Sequence, residues 1–567
     1  MILKILKSKI VFFVLATLFI LALNLTPMIM QVRHTPPGRT LTLIHNNTQD
    51  YYFYLSLMNE GANGAWMTYD PYTSEGHQPS IIFSYFLWLG RLSKILGLWY
   101  PYTYHLTRII LGLILLITSY YLILYLKIPY PNLTYFFFLF ASPFMHTIND
   151  YGTLRSVPYM HWWNGIDPVR RAAFLPHHML GGFLLVTSII VIFKYINKPQ
   201  RKYLFWLILL SAIMAFVHTP SLLIILLIIP SSMLIYYFLN ISNGQNSKVK
   251  IQKSKLIGLL GYWVIGLIFL LFMVSQTKNG FPWSQYIDWE KNLQFPLDRE
   301  LIGALGILLP FSIMEIYQTI KSKKFENIFI LCWLVIPLLF IPIAPKLNLS
   351  NVRLIQGVPY LPLAILAILG IKTIEKFLKQ FSIFNFKFSL NFQKLNIKNL
   401  DFISNFKFQI SNLVALTSIT LFIIFTYPTL YWSIKDQIRE YWPFYGNVYL
   451  DNRIFDAFNF INLNYPTKSV TLSTFYTGNY LPAYTNTISF IGHFGYTYKE
   501  QEKENDTQRL FEDKMTTEEA KNFLVSNKIA LVFQGPEEKP FAKNYLYPTL
   551  LKPVYDKEAV TIYKLNL

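Results

Sequence analysis

Charge is scarce in this chain. Of its 567 residues only 14% are Asp, Glu, Lys or Arg, against roughly 25% in an average soluble domain, which excludes a water-soluble globule. Cysteine is nearly absent: the single Cys332 lies inside an apolar run, so no internal disulfide is possible. No Gly-rich phosphate loop follows a strand, which argues against nucleotide binding. No internal repeat is present, and no small-residue cleavage site follows the first apolar stretch, which is read as an uncleaved span with its N-terminus inside. Acidic residues number 30 against 50 basic ones, for a net charge of +20. In a soluble chain that excess points to nucleic acid; in a polytopic one lysine gathers in cytoplasmic loops, so no nucleic-acid partner is expected.

What the chain has in abundance is apolar surface. Hydrophobic residues make up 53% and arrive in runs of about 17–24, the length needed to cross a hydrocarbon core of about 30 Å. Spans are expected at 1–30, 103–126, 132–147, 174–194, 203–217, 219–239, 255–275, 301–317, 327–344, 358–377 and 411–432, about eleven in all. The stretch 79–98 is apolar but interrupted by Arg91 and Lys94 and patterned at helical spacing, so it is read as an amphipathic helix lying in the interface. That choice leaves Lys127, the groups at 194–202, 248–255 and 321–324, and a basic linker from Lys372 to Lys407 on the cytoplasmic side, as the positive-inside bias requires. The segment 378–410 reads as a flexible or membrane-surface linker.

The expected fold is an α-helical polytopic membrane protein of about eleven transmembrane helices with an extracytoplasmic juxtamembrane helix, followed by a small extracytoplasmic α/β domain. The membrane domain spans 1–432, with outer loops 31–102 and 148–173. The soluble domain spans 433–567, where strand-like runs at Val470–Thr474, Ala530–Phe533 and Val560–Tyr563 alternate with helical patterns. Thr516-Thr517-Glu518-Glu519 is a capping box ahead of one such helix. The site is then the cell membrane, multi-pass, with the N-terminus inside and the tail outside.

Ionisable residues gather on the predicted outer side, where they are costly unless used. The first outer loop carries His45, Asp50, Tyr51, Asp70 and His77; the second ends at Asp167, Arg170 and Arg171, followed by Pro176-His177-His178. His218 and Arg353 stand at the same level, Arg353 with no acidic residue nearby in sequence. A carboxylate can take a proton from an attacking hydroxyl, and arginine forks bind phosphate and stabilise charge on a leaving group. Simpler readings stand beside these: Asp70 as a turn former before Pro71, Arg170 and Arg171 as headgroup anchors, His218 as a satisfied junction histidine. His177 and His178 point about 100° apart on a helix, so the pair does not suit one ion. In the tail, Gly478-Asn479-Tyr480 and Gly492-His493 follow strand-like runs, where an acceptor site or ordinary turns explain them.

These features together resemble the GT-C superfamily of polytopic glycosyltransferases that use polyprenyl-phosphate sugars, which includes the protein mannosyltransferases and the lipid A aminoarabinose transferases. The likeness lies in Asp50 in the first outer loop, the proline-led juxtamembrane helix from Gln78-Pro79, Arg353 in a late outer loop and the extracytoplasmic tail. The Asp-Glu pair of the mannosyltransferases is missing. The resemblance implies Asp50 as catalytic base and Arg353, with Arg170 and Arg171, on the lipid phosphate. Tyr51, His77, Asp167, His177, His178 and His493 are the further residues expected at substrate. It implies a polyprenyl-phosphate-linked sugar as donor, a glycan, lipid or protein as acceptor, and transfer with inversion. Some relatives use a divalent ion, Mg or Mn, which Asp50 with Asp150 or Asp167 would hold. The alternatives are a transporter or lipid flippase, and a non-catalytic cell-envelope assembly protein. Against transport, no paired halves and no deeply placed charge beyond Glu315 are visible.

Overall fold

The computed structural model describes residues 9–241, 246–391, 400–441, 448–540, 542 and 545–566. It divides into two compact units. The first is built from Met1–Thr26, Arg108–Leu270 and Leu293–Gln437, the second from Pro27–Thr107, Leu271–Asn292 and Ile438–Leu567.

Among the described residues six helices are long and apolar enough to cross a membrane: Lys9–Arg33, Tyr100–Tyr125, Pro176–Asn197, Thr219–Asn240, Lys255–Gln276 and Ile410–Ile438. A seventh span results if Arg299–Leu305 and Leu308–Ser322, bent by 86° at their junction, are one broken crossing. The chain is a membrane protein, with fewer full-length spans than the apolar runs predict. The 132–147 run yields only the helix Pro131–Phe140, 10 residues long, about 15 Å at 1.5 Å per residue. Pro143 disfavours helix in the residue before it, and the chain continues as an antiparallel hairpin, Met145–Asp150 with Thr153–Pro158. The runs at 203–217 and 327–344 form helices of 17 and 16 residues. The 358–377 run lies in Tyr360–Asn391, where Glu375 binds Lys372 at 2.8 Å and also pairs with Lys379. The expected 378–410 linker is helical where described, at the end of Tyr360–Asn391 and the start of Leu400–Tyr441. Residues 392–399 lie outside the described residues, as do Lys4 and Lys7.

The second unit starts from a helix, Thr48–Ala62, where the residue pattern predicts loop. The Asn47 side chain accepts the N–H groups of Gln49 (2.9 Å) and Asp50 (3.2 Å) and so opens the helix Thr48–Ala62, satisfying donors that a helix start leaves bare. Residues 51–59 of this helix are all buried, so it shows no polar face. Against it packs Ser84–Leu96, within the expected amphipathic segment, with Tyr54 stacked on Phe86 at 4.1 Å. Gly61 lies on the Leu87 backbone and Gly90 on that of Met58. The cations interrupting the 79–98 run serve this pair: Lys94 Nζ donates to Ala62 O (2.9 Å), and Arg91 donates to the Gly64 and Ala65 carbonyls while lying 3.7 Å over the Trp66 ring. Cations at a helix C-terminus also meet the favourable end of its dipole.

The tail contributes a five-stranded sheet in the order Ile488–Ser489, Val470–Leu472, Ile529–Gln534, Val560–Leu565, Leu551–Lys557. The first three strands run parallel and the last two join antiparallel. Its core holds Leu472, Ile491, Leu510, Phe511, Leu524 and Tyr563, and the helix Thr517–Ser526 opens on the expected capping box of Thr516 and Glu519. The compact unit that holds the tail also takes in 27–107 and 271–292. Position 433 falls inside Leu400–Tyr441, and the unit incorporates the 31–102 segment. Ser489 N–H donates to Pro71 O (2.8 Å), Asn59 Nδ2 to Thr485 O (2.8 Å) and Trp283 Nε1 to Gln78 O (2.7 Å), while Arg39–Leu41 pairs with Tyr449–Asp451.

The glycine contacts make the crossing of the two helices testable. Gly90→Ala is expected to lower stability by about 1–3 kcal/mol by overpacking, read as a lower thermal midpoint of the detergent-solubilised chain. Gly76→Ala, where a Cβ meets nothing within 4 Å, is expected to leave the midpoint unchanged.

Candidate active site

Two groups of functional side chains form, one in each unit. In the second unit Asp50 sits in the first turn of Thr48–Ala62, and His493 Nε2 lies 3.9 Å from its Oδ1. The side chain of Asp50 is 31% exposed, that of His493 only 3%. His493 Nδ1 accepts the Gly495 N–H at 3.1 Å. Thr497 Oγ1 accepts the N–H groups of Gly492 and His493, and Gln49 Oε1 accepts that of Phe494 (3.3 Å). The His493 ring is enclosed by Tyr496 at 4.6 Å, Tyr72 at 5.5 Å and Phe53 at 5.8 Å. Gly478 and Gly492 permit the close backbone crossing that carries this loop: a Cβ on Gly492 would stand 2.8 Å from Asn479 N.

Tyr51 and His77, expected at substrate, are both engaged within the second unit. Tyr51 is fully buried, its hydroxyl donating to Thr42 O (2.9 Å) and its ring against Tyr104. His77 Nε2 accepts the Asp70 N–H (2.9 Å) and Nδ1 donates to Glu75 O (3.0 Å), with the ring stacked on Tyr69. Burial holds its pKa below the ordinary histidine value. Its neighbour Asp70 is fully buried; one carboxyl oxygen accepts the Tyr72 N–H (3.0 Å) and the other finds no partner among the described residues. Burial pushes the Asp70 carboxyl well above the usual range. Glu75 binds the buried Lys503 at 2.8 Å, and Tyr72 donates to Asn479 O (2.8 Å).

In the first unit the expected phosphate ligands separate by role. Arg171 is buried, with Nη1 donating to the Phe138 and Leu139 carbonyls and Nη2 to those of Ala141 and Ile166, and it lies 3.9 Å over the Tyr360 ring. Arg170 is 4% exposed. Asp167 Oδ1 accepts the Val169 and Arg170 N–H groups, and Oδ2 accepts Ser433 Oγ–H, so it holds a turn rather than facing substrate. Arg108, which the sequence reading passed over, is 2% exposed and donates to Asn24 Oδ1 (2.9 Å) and to Ala173 O; an arginine inside a predicted span was the available signal.

Arg353 remains, in the short helical turn Asn351–Ile355. It stands close enough for its charge to act on His177, His178 and His218. The rings of His178 and His218 are 4.5 Å apart, those of His177 and His178 likewise 4.5 Å. His177 and His178 occupy the first turn of Pro176–Asn197, and His218 precedes the helix Thr219–Ile241, so two helix starts, with their exposed N–H groups, adjoin this cluster. Gly181 lets the His218 ring lie on the 176–197 helix, for a Cβ there would come within 2.5 Å of His218 Cβ. His218 Nδ1 is 2.9 Å from Ser221 Oγ. The Gln356 side-chain amide is buried without a partner among the described residues.

The donor set does not fit the divalent ion that the resemblance allows. Asp150 is paired with Arg155, and both oxygens of Asp167 are engaged. Among the described residues no three His, Cys, Asp or Glu side chains are grouped to hold a metal ion.

One acid of the second unit gives a pH prediction. Glu60 accepts the Tyr69 N–H at 3.3 Å, and burial pushes its carboxyl up to about 8. The folded state therefore retains a proton that the unfolded state gives up above the ordinary carboxylate range. Stability falls as pH rises from there to about 8. Glu60→Gln is expected to flatten that decline in thermal midpoints measured from pH 5 to 8; an unchanged slope would contradict it.

No protein-family model matches the sequence, and no curated protein matches it. Among solved structures the fold is similar to the archaeal oligosaccharyltransferase AglB from Archaeoglobus fulgidus in complex with an inhibitory peptide and a dolichol-phosphate. The identity is 12% and the TM-score 0.51, over 93% of this chain and 70% of that one. The same organism's oligosaccharyltransferase in complex with Zn and sulfate matches at 13% identity and TM-score 0.50, over 98% and 73%. ArnT from Cupriavidus metallidurans bound to undecaprenyl phosphate gives 12% identity over 98% and 97% of the two chains, and its TM-score of 0.48 carries no further weight. At such identities the likeness is one of fold, and a fold does not by itself fix an activity. The chain has a fold similar to that of the archaeal oligosaccharyltransferase.

Proposed function

We propose that the protein is a membrane glycosyltransferase that moves a sugar from a polyprenyl-phosphate donor to an extracytoplasmic acceptor, with inversion at the anomeric carbon. The observation that carries this reading is the group formed by Arg353 with His177, His178 and His218 at two helix starts. An arginine fork, imidazole donors and bare helix N–H groups are the means by which proteins hold phosphate. The likeness in fold to an oligosaccharyltransferase solved with dolichol-phosphate and a peptide supports a lipid-linked donor and an outer acceptor. The positive-inside bias of the basic turns supports a cytoplasmic N-terminus and an extracytoplasmic tail.

In the reaction, an acceptor hydroxyl oxygen bonds to the anomeric carbon from the face opposite the phosphate. The bond from that carbon to the phosphate oxygen breaks, and its electron pair leaves with the lipid phosphate, whose charge Arg353 balances. The acceptor's proton passes to Asp50, which is exposed enough to meet it. No step passes through a metal ion.

The test is transfer of radiolabel from undecaprenyl-phosphate glucose, mannose, galactose and aminoarabinose to acceptors in membranes carrying the chain. The wild type is expected to transfer label from at least one donor. Asp50→Asn at equal abundance is expected to lose about 10²–10⁴-fold, and Arg353→Ala about tenfold or more, as for a lost charged hydrogen bond. No transfer by the folded wild type from any of the four would overturn the reading, and undiminished transfer by Asp50→Asn would remove the assigned base.

A further inference from the structure

The pairing of an exposed carboxylate with a buried imidazole has a use of its own. We propose that His493 is the positioning residue for Asp50, its Nε2–H being the donor that holds the carboxylate in the orientation from which it takes the acceptor's proton. This rests on the reading of Asp50 as the base.

The first support is the tautomer. Nδ1 accepts the Gly495 N–H, so in the neutral ring the proton sits on Nε2. That N–H is buried and finds no hydrogen-bond partner among the described residues. Leaving such a donor unpaired is costly, and the polar atom it faces is Asp50 Oδ1 at 3.9 Å. A carboxylate movement of about 1 Å brings the two to hydrogen-bond distance.

The second support is the asymmetry of exposure. Asp50 is open to a reactant while His493 is shut away, the arrangement expected when one group meets substrate and another fixes it from behind. The third is the rigidity of the mount. Thr497 Oγ1 holds the backbone at 492 and 493, and Gln49, the residue before Asp50, accepts the Phe494 N–H. The loop is thus tied to the turn that bears the carboxylate. A ring present only to fill the space between Phe53, Tyr72 and Tyr496 needs no donor aimed at an acid, and phenylalanine would serve.

The experiment is a double-mutant cycle on the full-length chain in proteoliposomes, with the most active of the four undecaprenyl-phosphate sugars as donor. His493→Phe is expected to lower kcat about tenfold or more with the donor KM nearly unchanged. His493→Gln, which carries an N–H near the position of Nε2, is expected to restore most of the rate. In an Asp50→Asn background His493→Phe is expected to cause no further loss, because the residue acts through Asp50. An unchanged kcat in folded His493→Phe, or a full multiplicative loss in the Asp50→Asn background, would overturn the proposal. If Asp50→Asn itself transfers normally, the base assignment falls and this inference with it. If Asp50→Asn is inactive and His493→Phe is not, only the positioning role falls. Should His493→Phe fail to fold, ¹⁵N-histidine NMR of the wild type decides: a Nε2–H tautomer whose signal moves on Asp50→Asn supports the proposal, and a Nδ1–H tautomer overturns it.

Discussion

A polar group removed from water must find a partner inside the protein or be given work to do, and this constraint organises both units. In the first, the buried arginines Arg108 and Arg171 meet it by donating to carbonyls that helix ends and turns leave open, at Ala173, Phe138, Leu139, Ala141 and Ile166. In the second, Asn59, Tyr72 and Lys503 meet it by fastening the 31–102 segment to the tail. These bonds are why the tail and the first loop form one body.

Some buried polar atoms find no hydrogen-bond partner among the described residues. In the membrane-helix unit they include His218 Nε2 and the side-chain amide of Gln356. In the other they include the His493 Nε2 facing Asp50.

The sequence showed the class of fold and the residue types at the site, but not their partners. Apolar runs announce spans, yet a run does not reveal that Pro143 stops its helix after 10 residues or that Glu375 and its lysines interrupt another. The helix Thr48–Ala62 escaped because it is buried nearly all round, which erases the polar-apolar period; Asn47 as an N-cap was its one local mark. Arg171 and Arg353 look alike beside a span, since nothing local reveals that the Arg171 fork meets main-chain carbonyls. Asp50 and His493 were each visible as polar residues in unusual company. Their approach was not, because it depends on Gly478 and Gly492 letting two distant backbones touch, a contact with no local signature.

The central claim is that Arg353 and its histidines hold the phosphate of a polyprenyl lipid. The most direct measurement is an experimental structure of the chain with undecaprenyl phosphate bound. The account predicts the phosphate within hydrogen-bond distance of the Arg353 guanidinium and beside the first turn of Pro176–Asn197. A lipid phosphate seated elsewhere, with Arg353 and the three histidines untouched, would contradict it.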